Sequence, residues 1–173
     1  MAEKLSKVID LDSVVIRFAG DSGDGMQLTG SLFSDAAALS GNVFATFPDY
    51  PAEIRAPQGT IAGVSGYQVH IGRKTIHTSG DLSDVLVAMN PASLNSNLKW
   101  MKPGGTIIVD TDAFNEKSLE RAGYTSNPLE TKELDGYRII KAPITQMARD
   151  SVKDLGIDHK TASKSRNMFA LGL

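Results

Sequence analysis

Val14-Val15-Ile16-Arg17-Phe18-Ala19, running directly into Gly20-Asp21-Ser22-Gly23-Asp24-Gly25, decides the fold of this 173-residue chain. The first six residues are mostly apolar, three are β-branched, and a glycine ends them, which is the pattern of a strand covered on both faces. Residues 26–40 then place Leu28, Leu32, Phe33, Ala36, Ala37 and Leu39 at helical spacing, with Gly41 where a helix C-cap belongs. A second strand is expected over residues 42–47. Strand, glycine-rich turn, helix and strand in that order predict a βαβ unit.

Working outward, residues 48–60 hold three prolines and read as loop, and residues 61–71 read as extended, with Gly63 and Gly66 marking bulges or close backbone contacts. Gly72-Arg73-Lys74 predicts a turn into Thr75-Ile76-His77 and hence an antiparallel edge. Val85-Leu86-Val87-Ala88-Met89 is a further buried strand. Asn90-Pro91 then supplies an N-cap and a first-turn proline for a helix reaching Met101. Residues 106–110 and 138–142 are strands, and residues 144–155 a helix. Alternating helices and apolar strands predict an α/β domain, three-layer α/β/α around a mostly parallel, partly mixed sheet, Rossmann-like in general architecture. Residues 1–12 form a polar lead-in and 13–173 one domain. Residues 165–171 open an apolar helical pattern at the end of the chain, which predicts that the polypeptide continues there or docks on a partner.

Composition narrows the function. Eighteen Lys and Arg against 20 Asp and Glu give a net charge of −2, so there is no basic footprint for nucleic acid or an anionic membrane. No apolar run approaches the ~20 residues that cross a bilayer. The first residues lack a signal peptide's apolar block, and a cytoplasmic location is the expectation. With no cysteine, the chain offers no disulfide, no thiol nucleophile and no cysteine-ligated iron–sulfur cluster. His70, His77 and His159 show no metal-binding spacing, so no metal ligand is assigned. Redox chemistry must come from partners or a bound cofactor.

Three catalytic signatures nearly fit residues 20–25. Gly-Asp-Ser-Gly matches the nucleophile segment of chymotrypsin-like proteases, but no histidine precedes Ser22, and the loop leads into a helix. Gly20 and Gly25 have P-loop spacing, yet Met26-Gln27 stands where Lys-Ser/Thr is required. The dinucleotide pattern Gly-x-Gly-x-x-Gly is replaced by Gly-x-x-Gly-x-Gly. What the loop retains is glycine-exposed backbone amides at a helix N-terminus, which suit an anion. Asp21 and Asp24 oppose one. A tight packing turn and a ligand loop are equally compatible with the spacing. Gly30, one turn into the helix, implies a close helix–strand contact.

Taken together, residues 17–25 and Phe47-Pro48-Asp49-Tyr50-Pro51-Ala52-Glu53-Ile54-Arg55 resemble the γ domain of 2-oxoacid:ferredoxin oxidoreductases. The likeness is narrowest to the amino-terminal γ part of a fused α subunit of the 2-oxoglutarate type. It runs from Val14 to the segment Asn167-Met168-Phe169-Ala170-Leu171-Gly172. The resemblance implies oxidative decarboxylation of a 2-oxoacid, 2-oxoglutarate being the expected one and pyruvate a related substrate, with electrons passed to ferredoxin and the acyl group to coenzyme A. It implies that thiamine diphosphate and the iron–sulfur clusters reside on partner domains or subunits, the α pyrimidine-binding and β thiamine diphosphate-binding ones. This chain would then be inactive alone and would contribute coenzyme A binding and the shape of the active-centre entrance.

Carried over residue by residue, the resemblance makes Gly20, Asp21, Ser22, Gly23, Asp24, Gly25 and Arg55 the coenzyme A-binding candidates, with the pyrophosphate near Gly20, Ser22, Gly23 and Gly25. No residue is assigned to catalysis. Arg55 has a modest independent case, since a guanidinium on a proline-bounded loop suits phosphate or carboxylate; an ion pair with Glu53 or Asp49 is the plainer alternative. Many relatives carry glycine after this arginine, where this chain has Ala56-Pro57. Blander roles fall to His70 and His77 (surface or packing), Asp110 and Asp112 (caps, with ligand hydroxyls the alternative), Trp100 (core or interface), and Lys160, Lys164 and Arg166 (a solvated basic face by default, with proximity to a coenzyme phosphate the alternative). The competing readings are a nucleotide- or flavin-binding module and a structural assembly domain without a ligand. The latter predicts Asp21 and Asp24 facing the loop's anion pocket.

Overall fold

The computed structural model describes residues 10–50 and 63–173. Six strands form one sheet: β1 Ser13–Asp21, β2 Val43–Asp49, β3 Val64–Gly72, β4 Ser83–Ala88, β5 Met101–Asp110 and β6 Arg138–Ala142. Their order across the sheet is β2-β3-β1-β4-β5-β6. The pairs β1–β4, β4–β5 and β5–β6 are parallel, whereas β3 runs antiparallel to both β1 and β2.

Two helical layers cover the faces. On β1, β4 and β5 the side chains alternate, as a doubly covered sheet requires. Ala19, Leu86, Ala88, Ile107 and Val109 face one core, which is closed by Leu94 of α2 Pro91–Asn97 and Leu119 of α3 Glu116–Arg121. Phe18, Val69, Val87 and Met89 face the other core. That second core is closed by Met26 of α1 Met26–Leu39, Ile144 of α4 Ile144–Ser151 and Ala170 of α6 Arg166–Leu171. The remaining helix is α5 His159–Lys164. The three-layer α/β/α expectation and the mostly parallel mixed sheet therefore hold. Among the described residues, no helix is long and apolar enough to cross a membrane.

Local chemistry sets the helix ends. The Asn90 side chain accepts from the Ser93 amide at 2.8 Å while the Ser93 hydroxyl accepts from the Asn90 amide, with Pro91 at the first turn. At the end of α1 the Gly41 amide donates to the Ala38 carbonyl and that of Asn42 to Ala37, the double bond of a Schellman cap. Asp110, fully buried, accepts from the Thr145 hydroxyl and amide, and Asp112 accepts from the Gln146 amide, so both cap the start of α4.

Three expectations are corrected. The strands β1 and β2 are parallel but not neighbours, because β3 inserts between them along registers of nine and seven residues. Residues 75–77 form no strand. Both edges of β3 are already taken, so no free edge remains for them. Helix α2 stops at Asn97, a 3-10 turn covers Leu98–Trp100, and Met101 already pairs with Ser83. Trp100 is consequently 43% exposed rather than in the core, with the Lys99 ammonium 5.1 Å from its ring centre.

The close contact implied by Gly30 is present on β3. A β-carbon at Gly30 would lie 2.0 Å from Tyr67 Cδ1 and 2.2 Å from Cγ. Helix propensity alone favours Gly30→Ala by ~1 kcal/mol. Here overpacking should reverse the sign, giving a net loss of about 1–2 kcal/mol. A denaturant midpoint that falls at unchanged slope would show it, and a midpoint that rises would refute the packing role.

Candidate functional site

Strand β1 delivers the glycine loop to the carboxyl end of the parallel strands, where open α/β sheets bind ligands. The turn is held from within. The Asp24 amide donates to the Asp21 carbonyl, the Ser22 amide to the Gly63 carbonyl, and the Asp21 amide to Asp24 Oδ2, each at 3.0–3.1 Å. Gly25, with φ +76°, is the residue before α1, and no side chain caps that helix. Among the described residues, the first-turn amides of α1 thus keep no capping side chain, and neither an acidic nor a basic residue lies in that turn. Gly23 is the exposed tip, with φ +101° and open space where a β-carbon would stand.

The two carboxylates do not turn freely into this space. Asp21 Oδ1 accepts from Asn90 Nδ2 at 2.8 Å. Asp24 is drawn inward: Oδ2 on the Asp21 amide, Oδ1 on Arg166 Nη2 at 2.5 Å, with 14% of its side chain exposed. Arg166 stands 142 residues away in sequence, at the start of α6. Next to it, Asn167 is buried against Gly25, where a β-carbon would meet Asn167 Nδ2 at 2.3 Å. Gly25 is therefore required twice, by its backbone angle and by its neighbour.

A second polar cluster lies deeper on β1. The buried Arg17 donates through Nε to Asn97 Oδ1 at 2.5 Å and through Nη1 to Gln68 Oε1 at 3.1 Å, and Nη2 pairs with the Asp49 carboxylate. From the first turn of α1, Gln27 Nε2 donates to the Gly66 carbonyl at 2.8 Å and reaches the Asp49 carbonyl at 3.4 Å. The two sequence motifs are thus joined in space through Arg17, while Gln27, just past the glycine loop, reaches Asp49 of the Phe47-Pro48-Asp49 stretch from a second direction. A cleft of about 390 Å³ opens over this pair, with Phe47 and Trp100 among its walls.

Of the candidates named from sequence, Gly20 to Gly25 come together in this loop, whereas Arg55 lies outside the described residues, as does the side chain of Lys160. Asp49, offered as a partner for Arg55, is paired with Arg17. Sequence reasoning did not place Arg166, Asn167 and Asn90 at the loop. For Arg166 the sequence offers a solvated face or the neighbourhood of a coenzyme phosphate, and nothing in a basic stretch reveals a carboxylate partner 142 positions earlier.

Burial pushes the Asp21 carboxyl above the ordinary range, and the Asp24 charge adds to it, while the Asn90 donor and Arg166 oppose the rise. The folded protein therefore holds this proton to higher pH than the unfolded chain. Its contribution to stability is full at low pH and is lost as pH rises through the folded titration. Asp21→Asn keeps an acceptor for Asn90, so its stability relative to the parent should rise as pH climbs from about 4, the ordinary aspartate value. Denaturation midpoints across pH read this, and parallel curves would contradict it. Asp49→Ala leaves the Arg17 guanidinium without its counter-ion. Because Asp49 is 42% exposed, the loss should be about 2–3 kcal/mol, below a fully buried pair, with Asp49→Asn milder.

The family model for pyruvate ferredoxin/flavodoxin oxidoreductase (POR) matches residues 15–173. The chain is 52% identical over 163 residues to the 2-oxoglutarate oxidoreductase subunit KorA of Mycobacterium tuberculosis, covering 94% of this chain but 25% of that one. It is 30% identical to the 2-oxoglutarate synthase subunit KorC of Methanothermobacter marburgensis, over 79% of this chain and 67% of that one. Among solved structures, the 2-oxoglutarate:ferredoxin oxidoreductase of Magnetococcus marinus, with 2-oxoglutarate, coenzyme A and succinyl-CoA bound, superposes with a TM-score of 0.68 at 28% identity. That match covers 94% of this chain and 24% of the other. The keto/oxoacid ferredoxin oxidoreductase γ subunit of Geobacter sulfurreducens shares the fold, with a TM-score of 0.62 at 22% identity over 92% of this chain and 73% of that one. The chain spans a quarter of KorA and two-thirds of KorC, and with its matched model, glycine loop and mixed sheet it belongs to the pyruvate ferredoxin/flavodoxin oxidoreductase family.

Proposed function

We propose that the chain is the γ domain of a 2-oxoacid:ferredoxin oxidoreductase that converts 2-oxoglutarate to an acyl-coenzyme A, and that its own task is to hold coenzyme A. The carrying observation is the glycine loop. Its tip at Gly23 is open, the first turn of α1 is uncapped among the described residues, and the Asp24 carboxylate is turned inward and paired with Arg166. That combination suits a pyrophosphate, which needs backbone donors and no facing negative charge. An assembly domain without a ligand predicts carboxylates facing the anion pocket, and the inward pairing of Asp24 counts against it. No dinucleotide pattern favours a flavin or nicotinamide.

In this reading residues 13–173 act as one unit that continues into, or docks on, the α and β domains of a cytoplasmic complex. Those domains carry thiamine diphosphate and the iron–sulfur clusters, and ferredoxin takes the electrons. The contribution of this chain is binding and orientation: Ser22, Gly23 and Gly25 at the phosphates, and Arg55 at the ligand or the active-centre entrance. The match to about a quarter of KorA supports a partnership with further domains.

Calorimetric titration with coenzyme A, on the protein together with the domains it assembles with, tests the reading. Saturable binding should be weakened about tenfold or more by Gly23→Asp, which sets a carboxylate at the tip, and by Arg55→Ala. Absence of binding by the parent would overturn the coenzyme role. Unaltered affinity in both variants would move the site elsewhere on the chain.

A further inference from the structure

The loop contains a conflict that its sequence does not resolve. Asp24 is structurally needed, because its Oδ2 accepts the Asp21 amide across the turn, and a β-carbon on Gly20 would lie 3.0 Å from the same oxygen. Yet a carboxylate at this position repels any anion brought to Gly23 or to the first turn of α1. Within the 20–25 segment nothing cancels that charge, and α1 adds no basic residue at either end.

Resting on the coenzyme A reading above, we propose that Arg166 is a positioning residue of this site: by pairing with Asp24 it cancels the loop's inner charge and so sets the loop's affinity for an anionic ligand. Its side chain is 24% exposed and that of Asp24 14%, so the pair sits largely out of solvent, where its Coulomb attraction is screened less than at the surface. Arg166 is also held in place. Asn167, 6% exposed, fills the space beside Gly25, and Ala170 one turn later is packed in the core beneath α1. The charged groups facing Asp24 are Arg166 and Asp21, and Asp21 carries the same sign as the ligand. Among the described residues, one cation therefore stands against two carboxylates.

The test is a double-mutant cycle read by coenzyme A titration on the assembled protein, with thermal midpoints measured alongside. Arg166→Gln should weaken binding about tenfold, and Arg166→Lys should restore most of it. Asp24→Asn, whose amide oxygen still accepts from Asp21, should bind severalfold tighter than the parent. The double variant Asp24→Asn/Arg166→Gln should recover much of the loss, although both single changes remove the same ion pair and lower the midpoint. A merely structural Arg166 would leave the double variant as weak as Arg166→Gln, and that result overturns the proposal. If Arg166→Gln does not fold, Asp24→Asn decides alone, and weaker binding by it refutes the charge argument. A parent that binds no coenzyme A overturns the underlying reading instead, whereas a parent that binds beside an unimpaired Arg166→Gln overturns only this inference.

Discussion

Seating the Arg17 guanidinium in the middle of a covered strand carries a desolvation cost of several kcal/mol unless its donors are met. Meeting them draws three separate elements to one point: Asn97 from the end of α2, Gln68 from β3 and Asp49 from the end of β2. Gln68 can reach Arg17 only if β3 lies beside β1, and the register places the two directly opposite one another. Asp49 can reach it only across β3. The ion pair thus matches the one departure of this sheet from a simple parallel crossover, the antiparallel strand inserted between β1 and β2.

The glycine loop is built on the same logic at its surface end. A turn this tight needs acceptors for its own amides, and Asp24 and the Asp21 carbonyl supply them. Glycine at 25 is demanded by a positive φ and by the buried Asn167, whereas Gly23 faces open space and is constrained by its backbone angle alone. On the proposed reading, structure and ligand reception are separated along these six residues. The inner positions are committed to holding the turn, and the outer ones are left open.

Much of the layer structure was legible because it follows from period and punctuation. The run at 14–19, the helical spacing after Gly25, and Asn90-Pro91 each specify the start of their element locally, and each element begins where expected, although the helix after Asn90-Pro91 stops at Asn97, short of Met101. The misreadings at β2 and at residues 75–77 share a cause, since they concern which strands become neighbours. Residues 75–77 carry a strand-like composition, but the edge they needed was occupied by β1 and β2, a fact set by registers far away in sequence. Trp100 follows Leu94 at nearly helical spacing, yet the helix ends at Asn97, whose side chain is taken by Arg17, and the ring is left outside. The loop itself was legible from its glycines. The cation that balances it was not, because ion pairs between distant segments leave no local pattern.

That distance separates this loop from the phosphate-binding loops it resembles in spacing. In a P-loop the lysine belongs to the motif and travels with it, so the short segment brings its own positive charge. Here the position is filled by Met26-Gln27, with Met26 buried in the core and Gln27 turned to the ends of β2 and β3. Among the described residues, the cation paired with the loop is Arg166, which enters from α6 and is held there when that helix is docked. On the proposed reading, anion affinity is therefore a property of the folded domain rather than of the motif. By linkage, a ligand that binds only the state with α6 docked must stabilise that docking in turn. On that reading the loop with its two carboxylates serves an anion when α6 is docked, which gives this six-residue helix a role in the proposed site as well as in the core.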